Sequence, residues 1–377
     1  MPIYATGKKR DGRNQYRVIV NYTDVLGKYR TVERTAYGMA EAKELEASLQ
    51  KQVTQSSSPR SMTVNQLYDE YMIQKKQETR ETTYDKTRRN LEYAVLPIIG
   101  NIKLDRLTAS VLQKWKNEIG ERPLKDSTKQ NYFKELSAML NYAVKLDYIS
   151  QNPLKKIGNF RRKEFGKKND MDYYTAEEYL QFQQAAKTYA ETAPQSRCFS
   201  EWAYFVFFSI AFYTGMRKGE INALRWKHIK GNVIEVRKTV SQKVKGKTLE
   251  TEPKTFSSVR DLVIPDPLME ILSEHKKRQM DDERFNDEYY VCGAVKILPD
   301  TTIEKHNEKY RTAAGLKHIR IHDFRHTHAT ILINERINIM EICRRLGHRD
   351  ITETFETYAH LYPREESLAV GILNAIK

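Results

Sequence analysis

The run Ile321-His322-Asp323-Phe324-Arg325-His326-Thr327-His328, followed by Arg344-Arg345-Leu346-Gly347-His348-Arg349 and then by Tyr358, decides how this chain is read. Within 37 residues, from His322 to Tyr358, two arginine–histidine clusters and a phenol come together. Such side chains contribute little to an apolar core. They are better suited to a phosphodiester, whose oxygens guanidiniums and imidazoles hold and whose phosphorus an activated phenol attacks. On a helix, His322 and Arg325 at i, i+3 project from one face. Gly347 stands where a helix ending at Leu346 needs its C-cap.

The same residues admit other chemistry. His322 and His326 have the i, i+4 spacing of the zinc pair in H-E-x-x-H. Asp323-Phe324 replaces the glutamate of that motif, and the neighbouring arginines oppose a dication, so no metal is expected. His326 and His328 are expected to be packed or exposed rather than catalytic. Residues 337–359 have helix–turn–helix length, which also suits a DNA-reading regulator without enzymatic activity. Tyr358 alone is a weak signal, because a phenol ionises only near a pKa of about 10 and most helical tyrosines are core residues. Tyr362, four residues on, shares its helical face and competes with it.

Outward from this stretch, the totals point to a polyanion. The chain has 377 residues, enough for two or three domains, with 64 Lys and Arg against 49 Asp and Glu and a net charge of +15. The excess is spread along the length, which favours nucleic acid over an anionic membrane. Cys198, Cys292 and Cys343 are isolated thiols, without the pairing of a disulfide framework or a cysteine-rich zinc module. The N-terminus lacks an apolar signal core, and the most apolar stretch, Trp202 to Tyr213, is too short to span a bilayer. A soluble, cytoplasmic protein is expected. No Walker loop and no G-x-G-x-x-G is present, so no nucleotide cofactor is expected.

Three domains are legible. Residues 1–53 read as a small strand-rich unit, with strands at Gln15–Tyr22 and Tyr29–Ala36 joined by a hairpin and closed by a helix over Ala40–Gln52. Lys8, Lys9, Arg10, Arg13 and Arg17 crowd its front, so it could lie in a DNA groove; a solvated basic face is the alternative. Thr54–Ser61 has linker composition. Residues 62–158 read as all-helical, with Thr63 capping the first helix and others at Glu81–Val95, Ala109–Gly120 and Ser127–Leu146. A basic linker over 155–173, containing Arg161, Arg162 and Lys163, leads to a larger α+β domain over 174–377. The fold class is therefore mixed and mainly α.

Two upstream motifs belong to the last domain. In Y-T-G-M-R-K-G-E (213–220), Gly215 ends an apolar helix and Arg217 begins the next, where an arginine adds a fork for phosphate oxygens. Alternatively, Arg217 simply pairs with Glu220. In E-P-K-T-F-S-S-V-R (252–260), Lys254 lies near a turn between strands, from which a lysine could protonate a departing 5′ oxygen. Exposed hairpin lysines are usually nothing more.

The motifs T-G-M-R-K-G-E, P-K-T-x-x-S-x-R, H-D-F-R-H-T-H-A-T, L-G-H and Y-A-H occur in one order in one domain. In that order they resemble the tyrosine recombinase family, specifically the integrases of phages and conjugative transposons. The resemblance is specific over the catalytic domain and general elsewhere. It implies that Arg217, Arg325 and His348 bind the non-bridging oxygens of the scissile phosphate, Lys254 protonates the leaving 5′ oxygen and His322 acts as general base or proton shuttle. Tyr358 would attack and form a 3′-phosphotyrosyl link, with neither metal nor ATP. It further implies double-stranded DNA as partner, with arm sites bound by residues 1–53 and core sites by the other two domains closing as a clamp, the basic linker crossing the backbone. A homotetramer on DNA follows, with an excision factor and a host DNA-bending protein as accessory partners. Leu368, Ile372 and Ile376, at i, i+4, i+8, form an apolar stripe that would dock on a neighbouring protomer or in cis. A type IB topoisomerase shares the chemistry, but the N-terminal sheet and this tail favour a recombinase.

Overall fold

The protein is represented by a computed structural model that describes residues 3–10, 12–23, 29–57, 62–161, 172–242, 244, 246–252, 256–361, 370–371 and 373–376. The chain divides into two compact units, Met1–Gly166 and Lys167–Lys377.

The first unit opens with an antiparallel sheet of β1 (Ile3–Arg10), β2 (Arg13–Thr23) and β3 (Tyr29–Tyr37), in which Val18 faces Arg34 and Val20 faces Val32. Helix α1 (Met39–Ser57) covers one face and closes a small core of Val18, Val20, Ala36, Ala42 and Leu49. β1 was not expected, because I-Y-A-T-G-K-K-R is an almost wholly exposed edge strand with no apolar alternation to reveal it. The predicted linker is corrected as well. Thr54–Ser57 continue α1, since nothing before Pro59 interrupts the helix. Residues 58–61 and the hairpin tip 24–28 lie outside the described residues.

The remainder of this unit is helical: α2 (Val64–Glu78), α3 (Glu81–Ala94), α4 (Leu96–Ile99), α5 (Ala109–Glu121) and α6 (Asp126–Lys145). Thr63 caps α2 as expected, within a capping box shared with Gln66. α4 is a single helical turn, with Pro97 in the first-turn position where its missing N–H is harmless. Leu67, Leu91, Leu112, Trp115 and Leu136 form a core separate from that of the sheet, and Trp115 donates its indole N–H to the Ala94 carbonyl at 2.7 Å.

The second unit is built around α8 (Gln195–Thr214). Every residue from Glu201 to Ala211 is buried, as required of a helix apolar on all sides. Around it lie α7 (Ala176–Thr192), α9 (Lys218–Asn222), α10 (Asp266–Met280), α11 (Asp300–Ala313), α12 (Asp323–Asn334), α13 (Ile339–Leu346) and α14 (Ile351–Tyr358). Phe182, Phe208, Tyr310 and Phe324 meet at ring-centroid distances of 5.2–5.8 Å. β4 (Ile229–Lys230), β5 (Val233–Val236) and β8 (Arg260–Val263) form one antiparallel sheet, and β6 (Thr239–Ser241) pairs with β7 (Leu249–Thr251). The extended stretch 233–240 is thus divided into two strands, β5 and β6. It breaks at Arg237, whose guanidinium donates to the Arg260 carbonyl at 3.2 Å and pairs with Asp261. α14 ends at Tyr358 and passes into a 3-10 turn over Ala359–Leu361. Among the described residues, no helix is long and apolar enough to cross a membrane.

Two buried histidines make this unit sensitive to acid. Burial pushes His275, beside the Val291 carbonyl, down to about 4, and burial with the Arg345 charge pushes His328 down to about 3. In the unfolded chain both would bind protons near pH 6.5, but in the fold they do not. Stability is therefore flat above that pH and declines below it until the folded values are reached. By pH 5 each should have cost about 2 kcal/mol. Thermal melts between pH 7.5 and 5 should show a falling midpoint; a flat profile would contradict the assignment.

Candidate active site

The site is assembled from helix ends. α8 stops at Gly215, which adopts φ +63°, and α13 stops at Gly347, with φ +67°. Both helices turn a terminal carbonyl toward Arg325 on the first turn of α12. Its Nη1 donates to the Gly215 oxygen at 2.9 Å and its Nη2 to the Leu346 oxygen at 2.7 Å. A cation between two helix C-termini is favoured by both dipoles. Arg325 is 2% exposed, and burial together with the Arg217 charge brings its guanidinium down to about 9. Asp323, also buried, grips the backbone N–H and guanidinium of Arg320 and so fixes the entry to α12.

Gly215 is needed for its space as well as its dihedral angle. A Cβ there would lie 2.7 Å from His328 Cδ2 and 3.0 Å from Leu346 Cδ2. Gly215→Ala should therefore lower stability by about 2 kcal/mol or more, through left-handed strain and crowding. Thermal unfolding reads this directly, and an unchanged midpoint would contradict it.

Arg217 does pair with Glu220: Nη1 donates to Oε1 at 3.0 Å and the backbone N–H donates to Oε2 at 3.0 Å. The alternative drawn from the sequence is thus present, but it is only part of the arrangement. Glu220 is buried and also accepts from Arg260 Nη2 at 3.0 Å. Burial would raise its pKa, yet the Arg260 and Arg217 guanidiniums hold it below the usual carboxylate range. Arg260 in turn donates to the Arg345 and Ser258 carbonyls, and the side chain is only 5% exposed. A Cβ on Gly347 would meet Arg260 at 2.9 Å, so the C-cap glycine leaves room for this strut.

His348 follows Gly347 and is 7% exposed, with Nδ1 2.6 Å from the Thr354 hydroxyl. Burial, then the charges of Arg325, Arg217 and Arg260 and finally His322, push it down to about 3. His322, at the N-terminus of α12, is exposed at its edge. Desolvation on its inner side and the neighbouring His326 and Arg325 lower its pKa. Arg217, His322, Arg325 and His348 thus act on one another's charge and belong to one cationic cluster. Lys254 lies outside the described residues.

Tyr358 is 1% exposed and packs among Ala329, Ile333, Ile342 and Leu346. Burial raises its phenol above the ordinary value, with the Arg325 charge opposing that shift. Its oxygen lies 2.6 Å from His326 Nδ1. His326 is half-buried, and α14 folds back on α12 so that the phenol is seated on its ring. His328 is packed, its Nδ1 2.8 Å from the Phe212 carbonyl oxygen.

The remaining basic residues lie in the first unit. Lys8, Lys9, Arg10, Arg13 and Arg17 are exposed on β1 and β2. Arg17 is engaged with Glu33 at 3.0 Å, and Arg10 stands 5.7 Å from the centre of the Tyr37 ring. Arg161 is exposed, whereas Arg162 and Lys163 lie outside the described residues, as do Tyr362, Leu368 and Ile372. Ile376 is 73% exposed.

Residues 173–365 match the phage integrase family, and residues 63–120 match the N-terminal SAM-like domain of phage integrases. The ICEBs1 integrase of Bacillus subtilis strain 168 is 25% identical over 371 residues, covering 95% of this chain and 96% of the relative. A XerC-like tyrosine recombinase of Caldanaerobacter subterraneus is 26% identical over 295 residues, or 72% of each chain. Among solved structures, the Tn1549 transposon integrase in complex with transposon right end DNA is similar at a TM-score of 0.63 and 20% identity, over 84% of this chain and 100% of that one. A lambda integrase dimer bound to a COC′ core site is similar at a TM-score of 0.58 and 17% identity, over 97% and 95%. The fold is shared with both.

Proposed function

The chain belongs to the phage integrase family, and from that premise we propose that it integrates and excises a mobile element by breaking and rejoining DNA through a 3′-phosphotyrosyl link on Tyr358. The observation that carries this is the cationic cluster of Arg217, Arg325 and His348, with the phenol of Tyr358 seated on the same helix α12 that supplies Arg325. The guanidiniums and His348 would hold the non-bridging oxygens and stabilise the charge that grows on them in the transition state. In the neutral tautomer with its proton on Nε2, His348 would accept a hydrogen bond from the Thr354 hydroxyl at Nδ1 and donate from Nε2 to phosphate, in place of Glu353 Oε1 at 3.5 Å. Lys254 protonates the departing 5′ oxygen. His322, open at its edge beside His326, passes protons between the site and water. The covalent link conserves the phosphodiester energy for rejoining.

The partner is double-stranded DNA. Residues 1–53 would take arm sites through the exposed faces of β1 and β2, residues 62–158 would take core sites, and residues 174–377 would carry the chemistry. Many phosphate contacts would make affinity fall steeply with salt. The working form would be a homotetramer on DNA in the cytoplasm, assisted by an excision factor and a host DNA-bending protein. A nicked duplex carrying the core site tests the chemistry: cleavage releases the short strand and traps an SDS-stable protein–DNA adduct. No adduct with the full chain on its own attachment site would overturn this function.

A further inference from the structure

We propose that His326 is the base that takes the Tyr358 proton during attack, a step that rests on Tyr358 being the nucleophile. Four observations carry it. His326 Nδ1 lies 2.6 Å from the phenolic oxygen, within the range for direct proton transfer. His326 is the one hydrogen-bond partner found for that oxygen among the described residues. The contact is built rather than incidental, because Tyr358 is clamped by Ala329 and Ile333 of α12, three and seven residues along the helix from His326. His322 stands edge-on to His326, with ring centroids 5.1 Å apart, and reaches the surface.

The environment prepares the imidazole to act as a base. Burial lowers His326, Arg320 and Arg325 on its own helix side press in the same direction, and Asp323 opposes them. At neutral pH it is therefore uncharged. In the tautomer carrying its proton on Nε2, it accepts the Tyr358 O–H at Nδ1. The phenol is itself raised by burial, so it reaches the phosphate protonated and must lose its proton as it attacks. As the Oη–P bond forms, that proton passes to Nδ1 and the P–O5′ bond breaks. The 5′ oxygen takes a separate proton from the leaving-group side, where Lys254 is proposed. In rejoining, the 5′ hydroxyl attacks phosphorus and gives its proton back to the leaving-group side, where Lys254 is proposed; the P–Oη bond breaks and the imidazolium returns its proton to the departing phenol. His322 is thereby separated from the nucleophile and faces water.

The test is single-turnover cleavage by the full-length protein on two versions of the suicide duplex, one with the ordinary 5′ oxygen and one with sulfur at that bridging position. A thiolate leaves without being protonated, so the sulfur duplex rescues loss of the acid but not of the base. His326→Gln retains a hydrogen-bond acceptor but cannot take a proton. It should cleave about 10²-fold more slowly on both duplexes, with core-DNA binding and melting temperature close to wild type. Lys254→Ala should be slow on oxygen and recover on sulfur. Wild-type rates for His326→Gln, or its recovery on sulfur, would overturn the proposal. If His326→Gln fails to fold, His326→Asn is read by the same criteria, and recovery of His326→Gly by added imidazole on both duplexes provides an independent arm whose absence counts against it. Persistence of the adduct in Tyr358→Phe would instead sink the underlying assignment of the nucleophile.

Discussion

Tyr358→Phe abolishes the SDS-stable adduct while leaving the fold and DNA binding in place. The ring fills the same space among Ala329, Ile333, Ile342 and Leu346, so packing is conserved. What is lost is the contact with His326, and a single hydrogen bond of this kind is worth about 1 kcal/mol. The melting temperature should therefore move by a few degrees at most. The chemistry, by contrast, has no substitute, because no other group carries the oxygen that becomes bonded to phosphorus. Gel electrophoresis of the trapped complex reads the result. An adduct that survives the substitution would place the nucleophile elsewhere, with Tyr362, one helical turn on in sequence, the first residue to test.

Arg325→Ala has the second-largest effect, and it acts on two quantities at once. Removal of one preorganised donor to a developing charge slows cleavage by about 10²–10³-fold. The side chain also holds the carbonyls of Gly215 and Leu346, so its loss leaves two helix ends without their shared partner. Each buried acceptor left unsatisfied costs about 1–3 kcal/mol, and the thermal midpoint should fall visibly. Arg325→Lys separates the two effects. An ammonium keeps the charge but cannot span two carbonyls with a fixed fork, so it should recover part of the stability and little of the rate. A variant at full rate would remove Arg325 from the phosphate site.

The helices of the second unit were largely legible because their signals are local. α13 ends at Leu346 with Gly347 as its C-cap, and α8 ends at Gly215 with Arg217 opening the next helix, each where the local residue types place it. β1 was hidden because an exposed edge strand needs no apolar alternation. Arg217, Arg325 and His348 were visible as types in a spaced order. The role of His326 was not, since it exists only when Tyr358, 32 residues on, folds back against α12. Arg260 closes the motif P-K-T-x-x-S-x-R without an evident role in the sequence. Its signal was present all the same: in R-D-L-V the strand alternation puts it on the inner face with Leu262, and a charge there demands a partner such as Glu220.

Arg217, Arg260 and Arg325 converge on a region whose buried carboxylate is Glu220 alone among the described groups that bind them there. This local excess of cations is held in place by carbonyl dipoles rather than by a matching set of anions. A bound phosphodiester would act as the missing counterion, relieving repulsion stored when the chain folds without it. Substrate binding and the integrity of the site are then linked: DNA that binds the folded site would stabilise the helix ends that grip it by mass action.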